Sequence, residues 1–217
     1  MNNLYFLTEG LRNLKVFYHP GMDGGGTWFG QEYISVIQQR YPGRVFKNCL
    51  EWCAGPGFIG YSILDHGLCE HLSLVEIHTP TAQQAEKSKL DASNNCSSEV
   101  TVYNIGDLSL LPEDAQFDLV VANPPHFLHP STDETVSRIE SDPEWRVHQN
   151  FYANIAEHLT PDGIILLQEN MVESTVESFD FYIREAGLKV TDWFKSPKWF
   201  KHPDDTCQIY YIEIRHN

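Results

Sequence analysis

Two short turns hold the residues of this chain whose types and spacing could do chemistry. In the first, the apolar run ending Leu50-Glu51-Trp52 passes through Cys53-Ala54-Gly55-Pro56-Gly57 into Phe58-Ile59-Gly60-Tyr61. An acid, a small-residue turn and a helix start aim backbone N–H groups and the positive end of a helix at a ligand, which suits a nucleotide-like cofactor. In the second, Phe117–Ala122 is a nearly continuous apolar strand that stops at Asn123-Pro124-Pro125-His126. Two prolines cannot extend a strand and they fix its exit path. An asparagine is thereby presented at the carboxyl edge of the sheet, where open α/β folds bind ligands.

The elements that must position these turns alternate along the chain. Branched and aromatic runs predict strands at 45–51, 71–78, 100–105, 117–122, 164–169, 188–194 and 207–214, and helical spacing predicts helices at 58–64, 81–90, 145–159 and 174–186. That order gives one α/β domain over residues 45–217. Residues 1–44 form an N-terminal extension with an extended Phe17–Pro20, a flexible Gly24-Gly25-Gly26 and a helix from Trp28 to Arg40 capped by Asp23 or Thr27. The second strand ends near Glu76, and a carboxylate there can accept both hydroxyls of a ribose. The polar connection 128–143 breaks the strand–helix rhythm and is expected to shape the substrate pocket.

Leu50-Glu-Trp-Cys-Ala-Gly-Pro-Gly-Phe-Ile-Gly60 resembles the first motif of class I S-adenosylmethionine-dependent methyltransferases, with Cys53 where that family usually has its first glycine. Asn123-Pro-Pro-His126 looks like the fourth motif of the amino-methyltransferases, which modify the exocyclic amino group of adenine or the side-chain amide of glutamine. Leu159-Thr-Pro-Asp-Gly-Ile-Ile-Leu166 resembles the same family's turn into its fifth strand. The resemblance implies a Rossmann-like, seven-stranded, mostly parallel sheet with an antiparallel C-terminal strand and helices on both faces. It implies S-adenosylmethionine as cofactor, bound through Glu51, Cys53, Ala54, Gly55 and Gly57, with Glu76 on the ribose, Asp107 on the adenine and Asn123 completing the site. It also implies that residues 1–44 lie across the cofactor as a lid.

On that reading the Asn123 side-chain oxygen and the Pro124 carbonyl each accept one N–H of the acceptor, directing the nitrogen lone pair at the methyl group. The family usually has Tyr, Phe or Trp in the fourth place of this motif. Here His126, with Phe127 beside it, must stack on the acceptor or hydrogen-bond near it.

A formal net charge of −15 opposes a surface built for long nucleic acid, which recruits Lys and Arg. A protein side chain or a small molecule is therefore the expected acceptor, with adenine in RNA or DNA as the alternative. No apolar run reaches the roughly 18 to 20 residues that span a bilayer, and the first residues lack the basic start of a secretion signal, so a cytoplasmic protein without membrane partners is expected. The five cysteines include no C-x-x-C pair and read as reduced thiols. His126, His129 and His148 lack the spacing of a metal site, so no metal is expected. Two rivals remain open. Gly55, Gly57 and Gly60 also fit a nicotinamide fingerprint, although an NAD-dependent oxidoreductase would leave Asn-Pro-Pro-His without a task. The second rival is a non-catalytic S-adenosylmethionine-binding subunit.

Overall fold

The computed structural model describes residues 4–95, 98–196 and 208–217. It divides into two compact units, Met1–Gly106 and Asp107–Asn217. The sheet has seven strands, with helices between them, and all but its C-terminal strand run parallel.

In the first unit a hairpin of β1 (Leu4–Leu7) and β2 (Lys15–Tyr18) precedes α1 (Glu32–Arg40), β3 (Phe46–Trp52), α2 (Phe58–Asp65), β4 (Cys69–Val75), α3 (Thr79–Asn95) and β5 (Glu99–Tyr103). β3, β4 and β5 pair in parallel, with Glu51 opposite Leu74 and Val75 opposite Tyr103. Cys49, Leu50, Leu72 and Leu74 are buried along them, the near-continuous apolar pattern of strands covered on both faces. α1 begins later than its spacing predicts. Asp23 accepts from Thr27 and from the Gly25 N–H inside its own turn, and Gln31 occupies the cap position with its side chain bonded to Gly26 O and Ser62 rather than to the helix start. The extended reading of Phe17–Pro20 meets β2 only at Phe17 and Tyr18, and the hairpin itself was not foreseen because four residues are too few to establish a period.

Every residue of α2 is buried, including its last, Asp65. A buried carboxylate must be paired or hydrogen-bonded, and Asp65 meets that need by gathering the turn that joins β1 to β2. It accepts from the Thr8 hydroxyl, and from the N–H groups of Gly10 at 3.0 Å, Arg12 at 2.7 Å and Asn13 at 3.1 Å. Further along, the β2 backbone is held against α3 by Ser88 Oγ and Asp91 Oδ2, which accept from Phe17 and Lys15. The start of the chain is thus joined to the rest of the first unit by side-chain acceptors as well as by apolar contact, with Leu14 and Val16 buried and Phe6 and Tyr18 edge-on to Phe58.

The second unit contains β6 (Phe117–Ala122), α4 (Glu134–Glu140), α5 (Arg146–Ile155), β7 (Leu159–Asn170), α6 (Val176–Glu185), β8 (Leu188–Lys195) and β9 (Ile209–His216). β6 and β7 are parallel, and β9 lies antiparallel between β7 and β8. β7 starts earlier than the sequence suggests. Its pairing steps from Phe117↔Leu159 directly to Leu119↔Ile164, so Thr160-Pro-Asp-Gly163 is absorbed as an irregularity within the strand. The polar connection contains α4, and Gly187, at φ +72, follows α6 as a helix stop. Cys207, where the last strand was predicted to begin, lies outside the described residues. Among the described residues no helix is long and apolar enough to cross a membrane.

Asp65→Ala leaves four donors without their acceptor, which at charged hydrogen bonds should cost about 3 kcal/mol or more. Urea unfolding of the variant checks this, together with hydrogen exchange at the amides of residues 10–13, which should quicken. A loss below about 1 kcal/mol, within the range of a neutral surface change, would show that the turn stands without Asp65.

Candidate functional site

The first unit brings its expected residues together at the tips of β3 and β4. Glu51, the acid of the glycine motif, is only 2% exposed and turns inward. Its carboxylate accepts from Gly60 N at 2.7 Å and Ile59 N at 3.3 Å, two of the donors that a helix start leaves without partners. Burial outweighs these bonds and pushes its carboxyl up to about 8. Glu51 is therefore the cap that closes strand, loop and helix into one piece. Gly60 packs against it, since a Cβ there would stand 2.7 Å from Leu72 and 2.8 Å from the Glu51 carboxylate.

Between these elements the loop takes left-handed backbone at Cys53 (φ 51), Gly55 (φ 55) and Gly57 (φ 92). Cys53 holds a conformation that glycine adopts without strain, which accounts physically for the glycine usual at that place. Ala54 N donates to Val75 O and Gly57 N to Ala54 O. Around Gly55 there is open space, with no heavy atom within 4 Å of where a Cβ would sit. Glu76, just beyond β4, is 9% exposed and receives Gly55 N at 2.8 Å on one oxygen and His78 N at 2.6 Å on the other. Burial raises its carboxyl despite those bonds. A carboxylate offers about four acceptor sites, so each oxygen keeps one. Asn104 braces the same tip by donating to the carbonyls of Glu76 and Ile77. Ile77 itself is 71% exposed, a large apolar side chain beside an acid that sequence reasoning passed over.

The second unit groups the remaining expected residues in two places. Asp107 caps the 3-10 turn Leu108–Leu110, its Oδ1 accepting from Ser109 N at 3.0 Å and Asn150 Nδ2 at 3.1 Å. Those bonds hold its carboxyl below the ordinary value. Asn123 and His126 meet directly, with Asn123 Oδ1 2.8 Å from His126 Nε2. The loop they share is pinned by main chain. Glu140 O accepts from both His126 N and Phe127 N, Phe127 O accepts from Asp142 N, and Glu173 accepts from Leu128 N. Phe127 stands edge-on to the His126 ring at 6.3 Å, and Pro124 is buried.

Behind His126 lies a polar chain that the sequence did not reveal. His126 Nδ1 is 3.5 Å from Glu169 Oε2, at the end of β7. The other oxygen of Glu169 is 3.0 Å from His148 Nε2, and His148 Nδ1 is 2.6 Å from Asp142 Oδ2. Asp142, Glu169 and His148 are wholly buried. Glu144 and Trp145 take left-handed backbone (φ 60 and 57), and beyond them Asp142 receives the N–H groups of Val147 and His148 at the start of α5. Trp145 and Phe179 flank the His148 ring, Phe179 stacking on it at 4.6 Å. Burial alone would lower the His148 imidazolium, but Glu169 and Asp142 prevail and raise it to about 9. Burial likewise opposes the Glu169 charge, yet His148 and His126 bring its carboxyl below the ordinary value. An apolar strand ending Gln168-Glu169-Asn170 was the available signal, parallel to the acid that ends β3.

A family model described as methyltransferase small domain matches residues 12–179. The chain belongs to that family, one of class I S-adenosylmethionine-dependent methyltransferases, and S-adenosylmethionine is the cofactor this membership assigns. Over 104 residues the chain is 32% identical to the modification methylase CviBIII of Paramecium bursaria Chlorella virus NC1A, a match covering 46% of this chain and 27% of that protein. Among solved structures, a SAM-dependent methyltransferase of Leishmania major is similar with a TM-score of 0.62 and 18% identity over 90% of this chain and 74% of its own. The ribosomal protein L11 methylase of Lactobacillus delbrueckii subsp. bulgaricus follows at 0.58 and 15%, over 86% and 78%. The glycopeptide N-methyltransferase MtfA, solved with S-adenosylmethionine, gives 0.59 and 16%, over 88% and 96%. These likenesses are of fold. Membership in a methyltransferase family removes the nicotinamide reading of Gly55, Gly57 and Gly60.

The His148 shift sets a pH dependence of stability. A group whose folded pKa lies above its unfolded value stabilises fully below the unfolded value, near 6.5, and its contribution disappears as pH climbs through about 9. The wild type should lose about 3 kcal/mol of His148-linked stability across that window. Thermal or urea unfolding of wild type and His148→Gln on either side of it measures the difference. If the gap between the two proteins does not narrow toward high pH, the imidazolium is not held by Glu169 and Asp142.

Proposed function

We propose that this chain transfers a methyl group from S-adenosylmethionine to a nitrogen, most fittingly the neutral, planar nitrogen of an amide or a conjugated amino group. Asn123 at the carboxyl end of β6, its side-chain oxygen engaged by His126 at 2.8 Å, is the observation that carries the reading. A conjugated nitrogen has a delocalised lone pair, so positioning has to do what a strong base would do elsewhere. Asn123 Oδ1 accepts one N–H of the acceptor, and the Pro124 carbonyl takes the other. His126 and Phe127 lie against the acceptor.

The residues of the glycine loop suit the cofactor. The open space at Gly55 leaves room at a backbone that side chains would otherwise crowd, and Gly57 lets the chain turn into α2. Cys53, Ala54, Gly55 and Gly57 face the methionine portion, with Glu51 holding the loop in shape from beneath. Glu76 receives the ribose hydroxyls on its remaining acceptor sites, Asp107 the adenine amino group, and exposed Ile77 offers an apolar face to the purine. When bound, S-adenosylmethionine supplies a methyl group on a positively charged sulfur. Asn123 and Pro124 orient the nitrogen that receives it.

The net charge of −15 favours a protein side chain or a small molecule over long nucleic acid as acceptor. Methyl transfer from labelled S-adenosylmethionine to a glutamine-containing peptide, to an adenine-containing oligonucleotide and to free adenosine distinguishes these classes. Asn123→Ala should lower kcat at least about a hundredfold, as loss of a preorganised polar contact to the reacting group does, while cofactor affinity stays close to wild type. Glu76→Ala should do the reverse, weakening cofactor binding about tenfold or more. Transfer undiminished in Asn123→Ala would refute the assignment. A wild type that binds the cofactor but methylates none of these acceptors would favour a non-catalytic binding subunit.

A further inference from the structure

The hairpin of β1 and β2 has two long edges, and α3 covers one of them. On β2, Lys15 N and Phe17 N donate to Asp91 Oδ2 and Ser88 Oγ of α3, each at 2.9 Å. Those groups therefore point away from β1. Leu7 lies opposite Lys15 and Tyr5 opposite Phe17, and directly opposed residues of an antiparallel ladder either both bond across it or both point outward. The N–H and C=O groups of Tyr5 and Leu7 thus line the far edge of β1, and no described strand runs along that edge.

Side chains alternate between the faces of a strand. Phe6 meets Phe58 of α2, whereas Tyr5 and Leu7 point the other way and are 49% and 42% exposed. On the same outer face Lys15 Nζ stands 5.5 Å from the Tyr5 ring and Lys87 Nζ 3.9 Å from the Phe17 ring. Open edges are usually blunted by charge, proline or a bulge. The outer strands of the seven-stranded sheet follow this rule, with Glu99 on β5, and Lys189, Asp192, Lys195 and a register shift on β8. Leu4-Tyr5-Phe6-Leu7 carries none of these devices.

We propose that the free edge of β1 is the docking strand for the polypeptide that carries the acceptor side chain, which adds to the hairpin as a third, extended strand. Main-chain donors and acceptors at strand spacing complement another extended backbone, not a base or a lipid. Lys15 and Lys87 on the exposed face favour acidic residues in that backbone. The Leu4 end of the edge lies opposite Tyr18, whose ring is 5.3 Å from that of Phe58, the residue after Gly57. A strand held there ends beside the glycine loop. A second copy of the chain suits the edge poorly. Four residues offer far less than the roughly 1,200 Å² of a stable interface, and two copies of net charge −15 repel. A substrate that leaves after each turnover needs only a small contact.

This rests on the proposed transfer to a protein side chain, but its first test does not. A synthetic peptide of alternating valine and glutamate ending in glutamine is added to the wild-type protein, and hydrogen exchange is followed residue by residue. Exchange at Tyr5 and Leu7 should slow about tenfold, while Phe6, whose N–H faces β2, changes little. The same peptide with proline in place of valine should slow neither. Exchange unmoved by the first peptide overturns the proposal. So does slowing that grows with protein concentration alone, which assigns the edge to a second copy. Leu7→Pro removes one outward donor at a place where an edge strand tolerates proline. In that variant kcat/KM on the peptide, relative to N-acetylglutamine amide, should fall about tenfold through KM rather than kcat. An unaltered ratio overturns the docking role. Slowed exchange without methyl transfer refutes the proposed acceptor class and leaves the strand-binding edge in place.

Discussion

Burying a carboxylate at the carboxyl end of a parallel strand is the constraint on which the candidate residues of each unit depend. Glu51, Glu76 and Glu169 all sit at such ends, and all are buried. Each must recover in hydrogen bonds what it loses in hydration, and the groups within reach are those of the loops that leave the sheet. Glu51 takes the free N–H groups at the start of α2, and Glu76 takes Gly55 and His78. The loops are held by that need rather than by large side chains of their own. An open surface over Gly55 is compatible with a rigid loop for this reason.

The same burial ends in opposite charge preferences. Glu51 and Glu76 are partnered by neutral backbone dipoles, which soften desolvation without cancelling it, and their carboxyls are raised. Glu169 is partnered by imidazole, and its carboxyl is lowered. A full charge at 3.0 Å outweighs desolvation where N–H dipoles at similar distances do not. The first unit therefore holds acids tied to the backbone, and the second holds an acid dependably ionised.

How much of this was legible in the sequence divides along the same line. An acid or an asparagine that closes an apolar run is punctuation that survives without coordinates, so the strand ends at Glu51, Glu76 and Asn123 were readable. β6 came out residue for residue, because burial on both faces leaves an apolar run broken only by Asp118. The β1–β2 hairpin was not readable, since what holds it is Asp65, far off in sequence at the end of a helix. The Asp142–His148–Glu169 chain was hidden for a related reason. Its members lie 6 and 21 residues apart, on a cap, a helix and a strand, and no local period joins them. His148 had been weighed only as a metal ligand, whereas its partners are two carboxylates and the face of Phe179.

The departure at the fourth place of the Asn-Pro-Pro motif then acquires a physical meaning. A Tyr, Phe or Trp there presents an aromatic face and needs little from the ground behind it. An imidazole presents a face too, but it brings two nitrogens that must each find a partner in a buried site. Asn123 Oδ1 meets one of them at 2.8 Å and Glu169 Oε2 faces the other at 3.5 Å, its carboxyl held below the ordinary value by His148 and His126. Exchanging one ring for another at the loop thus commits three further side chains on separate elements. The histidine at this place is the end of a line of polar side chains that runs through Glu169 and His148 to Asp142.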